Sequence, residues 1–141
     1  MGSAEKTEVA SGGKLWTGRI MSGIAVLFMI FDGTIHLLRI QPVVDAFTQL
    51  GYPVELSILF GILELLCLAL YLIPKTSVLG AILLTGYLGG AVAANVRIGT
   101  PLFSNALFPV YVGILFWGGL YLRNKLLREL MPMQNSSSQS I

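Results

Sequence analysis

Four apolar stretches, separated by short connectors rich in glycine, proline and polar residues, make up most of this chain. They cover about residues 18–38, 54–73, 76–96 and 106–122. Each is close to the roughly 20 residues that a helix needs to cross the hydrocarbon layer of a bilayer. No stretch alternates apolar and polar positions as a barrel strand does, and a backbone in hydrocarbon must satisfy its own polar groups. The pattern predicts an all-α fold, a four-transmembrane-helix bundle.

The connector between the first two spans has a helical pattern of its own. Val43, Phe47 and Leu50 recur at helical spacing, with Pro42 at the expected start and Gly51 just after the expected end. The sequence therefore predicts a short interfacial helix between spans 1 and 2. Such a helix is either a connector resting on lipid headgroups or a gate over the outer end of the bundle.

Composition and charge support a membrane location and give its orientation. The 141 residues are 55% hydrophobic and 11% charged, and the mean hydropathy is +0.78, outside the usual range of soluble domains. Of the 9 lysines and arginines, Arg39 and Arg97 alone fall on the side opposite the termini. The positive-inside rule then places both termini in the cytoplasm. Interfacial aromatic anchors are expected on that same side, at Trp16, Tyr71, Trp117 and Tyr121.

Three regions follow from these patterns. Residues 1–15 are predicted to be a flexible cytoplasmic tail, residues 16–123 the membrane domain, and residues 124–141 a cytoplasmic tail that is mostly disordered, because both ends are poor in apolar side chains. Ser104 or Asn105 is the expected cap of the fourth span, with Pro109 in or just after its first turn.

Ionisable residues inside the first two spans are the clearest functional signal, because charge is costly in a bilayer. Asp32 and His36 are four residues apart and share a helix face. The helix rise puts Asp32 roughly 10 Å below the outer boundary and Glu64 roughly 15 Å below it. Polar residues of the other spans approach the same height. The candidate ligand-binding or proton-path residues are Asp32, His36, Glu64, Tyr87, Asn95, Arg97 and Tyr111.

This convergence has two interpretations. In the structural one, the side chains bond to one another and hold the helices in register, at about 1 kcal/mol per contact. In the functional one, they line a pocket or a proton path. The cost of burying a carboxylate favours the functional interpretation, since a neutral amide bridges helices more cheaply.

Small residues on the third span predict close helix packing. Gly86, Gly90 and Ala94 recur at intervals of four, which lets a neighbouring backbone approach. The neighbour is either another helix of the same chain or a second copy in a homodimer.

Other chemistries have little support in the sequence. The single cysteine, Cys67, excludes a disulfide framework and a CxxC redox pair, and no metal site is predicted. His36 is the single histidine, which excludes a haem held by two histidines. No catalytic residue is assigned, although Asp32 and His36 could perform acid/base chemistry. The basic residues are juxtamembrane anchors, so no nucleic-acid partner is expected.

A long ordered string of residues resembles the DoxX-like membrane proteins of bacteria. It runs GILELL from Gly61, LIPKT from Leu72, GAILLTGYLGGAVA from Gly80, PLF from Pro101 and FPVY from Phe108. The likeness spans residues 18–123. It implies a four-helix protein of the bacterial inner membrane, with better-studied relatives that are membrane subunits linked to thiosulfate:quinone oxidoreduction or oxidative-stress complexes. The chain departs from that pattern at Asn95, where the family has histidine, and at His36, where many relatives have lysine.

The residues and the resemblance together leave three hypotheses. The first is a non-catalytic subunit that binds a quinone or similar lipophilic molecule, with no covalently bound cofactor, in support of an oxidoreductase partner subunit. The second is a small proton-coupled transporter that uses Glu64. The third is a structural or assembly membrane protein without a ligand.

Overall fold

The computed structural model describes residues 2–131, with side chains described from Gly12 onward. Throughout this part of the chain the regular structure is helical. The elements are α1 (Gly2–Leu38), α2 (Gln41–Leu50), α3 (Leu56–Leu72), α4 (Ser77–Arg97), a π-helical turn (Leu102–Ala106), α5 (Phe108–Arg123) and α6 (Lys125–Leu130). The predicted all-α class is confirmed.

Three helical segments are long and apolar enough to cross a membrane: Gly12–Leu38, Ser77–Arg97 and Leu102–Arg123. The predicted second span, α3, is an apolar helix of 17 residues, shorter than the roughly 20 residues of a typical crossing. Large apolar side chains face outward on all of these helices, and Leu27 on α1 is 70% exposed. This outer surface fits the hydrocarbon of a lipid bilayer.

The four long helices, α1, α3, α4 and α5, pack in a ring in which each contacts two others. α1 contacts α3 and α5, and α4 contacts the same two helices from the other side. We call this arrangement the helix ring. Its apolar core contains Met29, Leu68, Leu84 and Phe116, each nearly inaccessible to solvent.

The helix predicted after span 1 is present as α2, with the predicted start and stop. Pro42 lies in its first turn, and Gly51 ends it in the left-handed conformation, with a φ of 76°, which glycine adopts without steric cost. Val43 and Phe47 are buried, and Asp45 is exposed. The amphipathic pattern thus identified both the helix and its buried face.

Several local features differ from the predictions. α1 begins at Gly2, so helix also runs through residues 2–15 of the predicted N-terminal tail; the flexibility and cytoplasmic location of that tail stay predictions. The predicted cap at Ser104 or Asn105 was wrong: those residues lie in the π-helical turn, and Leu107 occupies the cap position of α5. Pro109 lies in the first turn as predicted. α6 falls in the predicted C-terminal tail, of which residues 132–141 lie outside the described part.

A polar network joins three helices at the end of the ring opposite α2. The hydroxyl of Tyr71 lies 2.8 Å from that of Ser22 and donates to the Phe116 carbonyl oxygen at 2.9 Å. The Arg123 guanidinium carbon lies 5.2 Å from the centre of the Tyr71 ring. Tyr71 has no exposed surface, so its predicted role as an interfacial anchor was wrong. A buried hydroxyl with two partners instead ties α1, α3 and α5 together.

Close helix approach depends on glycines other than the predicted ones. A Cβ atom at Gly86 or Gly90 would meet nothing within 4 Å, so the predicted packing of another helix of the chain against these two residues was wrong. A Cβ at Gly80 would lie 2.5 Å from the Tyr71 Cα. The start of α4 therefore packs against the end of α3 through Gly80.

We predict that Gly80→Ala destabilises the protein by about 1–3 kcal/mol, because the added methyl group forces the two backbones apart. The matched control is Gly89→Ala on the same helix, where a Cβ meets nothing within 4 Å. Thermal unfolding of both purified variants in detergent micelles measures the difference. Equal midpoints for the two variants would contradict this packing.

Candidate functional site

Four of the predicted site residues come together between α1, α3 and α4. Asp32 and His36 lie one turn apart on α1, Glu64 lies on α3, and Tyr87 lies on α4. We call Asp32, His36, Glu64 and Tyr87 the polar cluster.

Glu64 is the most enclosed member of the polar cluster. Its side chain has no exposed surface, and the hydroxyl of Tyr87 donates to its Oε2 at 3.1 Å. Its other carboxyl oxygen, Oε1, is buried with no hydrogen-bond partner in the described part of the chain. A buried acceptor without a partner is costly and calls for an explanation.

His36 faces both carboxyl groups. Its Nδ1 lies 2.7 Å from the main-chain oxygen of Asp32, 3.4 Å from Asp32 Oδ2 and 4.0 Å from Glu64 Oε2. The hydroxyl of Ser57, in the first turn of α3, donates to the main-chain oxygen of His36. Ser57 is completely buried and was not predicted as a site residue, because a serine in an apolar run gives no sequence signal of its partner.

Two glycines set the distance between α1 and α3 at this site. A Cβ at Gly61 would lie 2.9 Å from the Gly33 carbonyl oxygen and 3.1 Å from the His36 Cβ. Gly33 precedes His36 by three residues, and Gly61 precedes Glu64 by three, so each glycine lies about one turn from a member of the cluster. The close approach of the two backbones brings the imidazole within reach of the Glu64 carboxyl.

The remaining predicted residues lie at different distances from the polar cluster. Asn95 donates to the Ala91 carbonyl oxygen at 2.9 Å and lines the same pockets as His36 and Tyr87. Arg97 is exposed, and its guanidinium donates to the carbonyl oxygen of Leu50 at the end of α2. Tyr111 is 43% exposed.

Arg97 and Tyr111 contribute to other parts of the structure. Arg97 fastens α2 to α4. Tyr111 donates to the Phe103 carbonyl oxygen at 3.1 Å, which ties α5 to the π-helical turn. The structure does not bring either side chain into hydrogen-bonding contact with the cluster.

Two pockets adjoin the polar cluster, and both are lined by His36, Phe47 and Tyr87. The aromatic pocket has a volume of about 290 Å³ and is lined by Phe47, Tyr52 and Phe60 together with the exposed glycines of α4. The second, here called the polar pocket, has a volume of about 310 Å³ and reaches Asp32. Both are near the lower end of the range for small-molecule sites.

α2 forms one wall of both pockets. The Phe47 ring centre lies 5.6 Å from that of His36 and 5.5 Å from that of Phe60, and Tyr52 meets Phe60 edge to face at 5.7 Å. The sequence analysis identified Phe47 as part of the buried face of α2 but assigned no role to Tyr52 or Phe60. A cluster of aromatic residues around the α2–α3 connector was the available signal.

The chemistry that the polar cluster can perform follows from its potential metal-ligand atoms and from its burial. Asp32, His36 and Glu64 each offer one such atom, a carboxylate oxygen or an imidazole nitrogen, and these atoms all lie within 4.8 Å of one another. This spacing suits a shared proton or a bound cation. Two carboxyl groups this close in a low-dielectric interior cannot both carry an uncompensated charge.

The apolar helices and the polar groups buried between them define a membrane protein with a polar interior site. The family model described as DoxX-like family matches residues 20–119, and the chain belongs to that family. The resemblance seen in the sequence is thereby confirmed. No curated protein and no solved structure matches the chain.

We predict that Tyr87→Phe destabilises the protein by about 1–3 kcal/mol, because the buried Glu64 carboxyl then loses its hydrogen-bond donor. Tyr111→Phe is the matched control and should cost about 0.5 kcal/mol, since its hydroxyl bonds to a main-chain oxygen in an exposed region. Denaturant titration of each variant in micelles measures the loss. A control variant that is destabilised as much as Tyr87→Phe would contradict the assigned bond.

Proposed function

We propose that this DoxX-like membrane protein is a non-catalytic subunit that binds a lipophilic, quinone-like molecule in support of a membrane redox system. The observation that carries the proposal is the aromatic pocket, which is lined by His36, Tyr87 and Asn95 together with aromatic and small apolar side chains. Small-molecule sites commonly combine an apolar wall with a few placed polar groups.

The shape of the pocket suits a flat ring. Phe47, Tyr52 and Phe60 present aromatic surface, against which a quinone ring can stack or pack edge to face. On α4, Gly86 and Gly90 have open space where a side chain would lie. These glycines leave room for the ring or for the start of an isoprenoid tail.

The polar groups of the pocket match both redox forms of a quinone. Asn95 Nδ2 has two hydrogens and donates one to Ala91, so the other is free for a quinone carbonyl. If His36 Nδ1 donates to the Asp32 carbonyl oxygen, Nε2 remains as an acceptor for a quinol hydroxyl. An oxidoreductase partner subunit would supply or remove the electrons.

We expect short-tailed decyl-ubiquinone to bind the purified protein, and Gly90→Leu to weaken that binding at least tenfold, about 1.4 kcal/mol, by filling the pocket. Gly89→Leu is the control, because Gly89 lines a different groove, with Thr85 and Trp117, and is equally open. Equilibrium dialysis of the detergent-solubilised variants measures the affinities.

Absence of saturable quinone binding by the wild-type protein would contradict this proposal. Equal quinone affinity of the two leucine variants would show that the quinone binds outside the aromatic pocket. Loss of a dimeric species in Gly90→Leu without any quinone binding would instead assign this glycine face to a homodimer.

Proton-coupled transport through Glu64 is a second candidate, favoured by the complete burial of that carboxyl. It requires substrate uptake into proteoliposomes that depends on a proton gradient and is lost in Glu64→Gln. A structural or assembly role is favoured if an Asp32→Asn, Glu64→Gln double variant keeps both wild-type phenotype and partner recovery.

We further propose that α1, α3, α4 and α5 make four crossings of a bacterial inner membrane, with α2 at the outer interface and both termini in the cytoplasm. Support comes from the lysine and arginine distribution. The shorter α3 can be accommodated by local thinning of the bilayer.

This topology predicts opposite labelling of two exposed connector positions, Glu55 and Lys75. In a Cys67→Ala background, a membrane-impermeant maleimide should label Glu55→Cys on spheroplasts and should label Lys75→Cys only after lysis. The reverse pattern would invert the orientation, and labelling of both positions on intact spheroplasts would rule out a crossing by α3.

A further inference from the structure

We propose that Asp32, His36 and Glu64 form a binding site for a divalent first-row transition-metal ion between α1 and α3. The sequence analysis assigned no metal ligands, because the three residues are spread over two helices and lack a recognisable motif. The proposal goes beyond the binding of a lipophilic ligand and uses the wall of the polar pocket, not the glycine face of α4.

The distances between the three potential ligand atoms are close to those around a first-row transition-metal ion. Zn–N and Zn–O bonds of about 2.0–2.1 Å in a tetrahedral site place ligand atoms about 3.3 Å apart. His36 Nδ1 lies 3.4 Å from Asp32 Oδ2 and 4.0 Å from Glu64 Oε2. Small side-chain rotations would close the remaining gap, and all three donor atoms already lie within 4.8 Å of one another.

An independent observation also points to a bound cation. Oε1 of Glu64 has no hydrogen-bond partner in the described part of the chain, and the Glu64 side chain has no exposed surface. Native structures seldom leave such an acceptor unsatisfied. A cation held by the Glu64 carboxylate would satisfy this oxygen directly or hold a water that does; the competing explanation is a proton shared with the Asp32 carboxyl, which lies within hydrogen-bonding reach of Glu64.

The charge balance of the cluster favours a divalent ion. Among the residues whose side chains are described, His36 is the one basic residue within 4 Å of either carboxyl group. Arg97 donates instead to the Leu50 carbonyl oxygen. Two carboxylates in a membrane interior therefore lack a permanent counter-charge, which a divalent cation would supply in full.

The ligand set selects the class of metal. Imidazole nitrogen with two carboxylates suits Mn²⁺, Fe²⁺, Co²⁺ or Zn²⁺, whereas Ca²⁺ and Mg²⁺ prefer oxygen ligands throughout. Coordination through Nδ1 replaces the hydrogen bond from His36 to the Asp32 carbonyl oxygen and leaves the proton on Nε2, so that His36 with a metal bound would donate to a quinone carbonyl and not accept from a quinol hydroxyl. Tyr87, bonded to Glu64 Oε2 at 3.1 Å, would orient that ligand from outside the coordination shell.

The remaining coordination positions would open into the polar pocket. Asp32 and His36 both line this pocket, and so do Ser104 and Asn105 of the π-helical turn. Three protein ligands with an adjoining pocket leave room for water or another small ligand on the metal, as in metal sites that are not closed by a fourth residue.

The test is a Co²⁺ titration of the full-length protein, purified without a polyhistidine tag and treated with a chelator, followed by visible absorption and by equilibrium dialysis. We expect about one ion per chain and ligand-field bands that report nitrogen and oxygen ligands. Asp32→Asn and Glu64→Gln should each weaken Co²⁺ binding by more than about tenfold. The loss of a residue that only bonds to a metal ligand already costs about tenfold, and these two substitutions change the ligands themselves. Asp45→Asn and Glu55→Gln, which change exposed carboxylates, should bind as the wild type does.

Helical circular dichroism and size-exclusion profiles of each variant separate loss of the site from loss of the fold. Tyr87→Phe, which keeps all three ligands, should still bind Co²⁺, with reduced affinity. The metal site would be contradicted if the folded wild type showed no stoichiometric binding. It would also be contradicted if a folded Asp32→Asn, Glu64→Gln double variant bound Co²⁺ as the wild type does. In either case protons, not a metal ion, would neutralise the carboxyl groups. Gly90→Leu should bind Co²⁺ normally, so failure of the quinone proposal and failure of this one are distinguishable.

Discussion

The burial of the Glu64 carboxyl group in an apolar helix is the constraint on which the site depends. A carboxyl without solvent must obtain its partners from neighbouring helices, and those partners come from α4 through Tyr87 and from α1 through His36. The glycines at 33 and 61 bring α1 close enough for this contact. Helix packing and polar chemistry are therefore coupled: a change that separates α1 from α3 also leaves the carboxyl without the imidazole.

The two ends of the helix ring use buried polar groups differently. Around Tyr71, each described bond ends on a hydroxyl, a main-chain oxygen or the nearby Arg123, so the network holds helices in register. Around Glu64, one oxygen is left without a partner and two pockets lie alongside. This contrast is the physical reason to assign binding to one end and a structural role to the other.

The spacing of apolar residues and the positions of proline and glycine predicted much of the fold, because few backbone structures satisfy their own hydrogen bonds in a bilayer. Pro42, Gly51 and the face containing Phe47 predicted α2, and the four-residue spacing of Asp32 and His36 predicted their common face. The sequence could not show which glycines lie at helix contacts. Gly86 and Gly90 have the familiar packing pattern, yet close approaches occur at other glycines: Gly18, Gly33, Gly61, Gly80 and Gly119. Contact depends on how each helix is rotated in the ring.

The sequence predicted which acidic residues come together in the candidate site, and it predicted less well which other residues lie beside them. Charge inside an apolar span is rare enough to identify Asp32 and Glu64 without a structure. Arg97 and Tyr111 were selected for their height in the membrane, but height does not fix direction, and both side chains bond to main-chain oxygens elsewhere. Ser57 was missed because its partner is a main-chain carbonyl group on another helix, which leaves no pairing pattern in the sequence.

A double-mutant cycle of Glu64→Leu with Tyr87→Phe tests most directly whether the carboxyl obtains its partner from α4, because each substitution alone removes the hydrogen bond. Unfolding free energies of the wild type, the two single variants and the double variant in one detergent give the coupling between the side chains. The account predicts a coupling of about 1–3 kcal/mol, as for groups in direct contact through a buried hydrogen bond. Additivity within about 0.5 kcal/mol, the behaviour of distant sites, would contradict it.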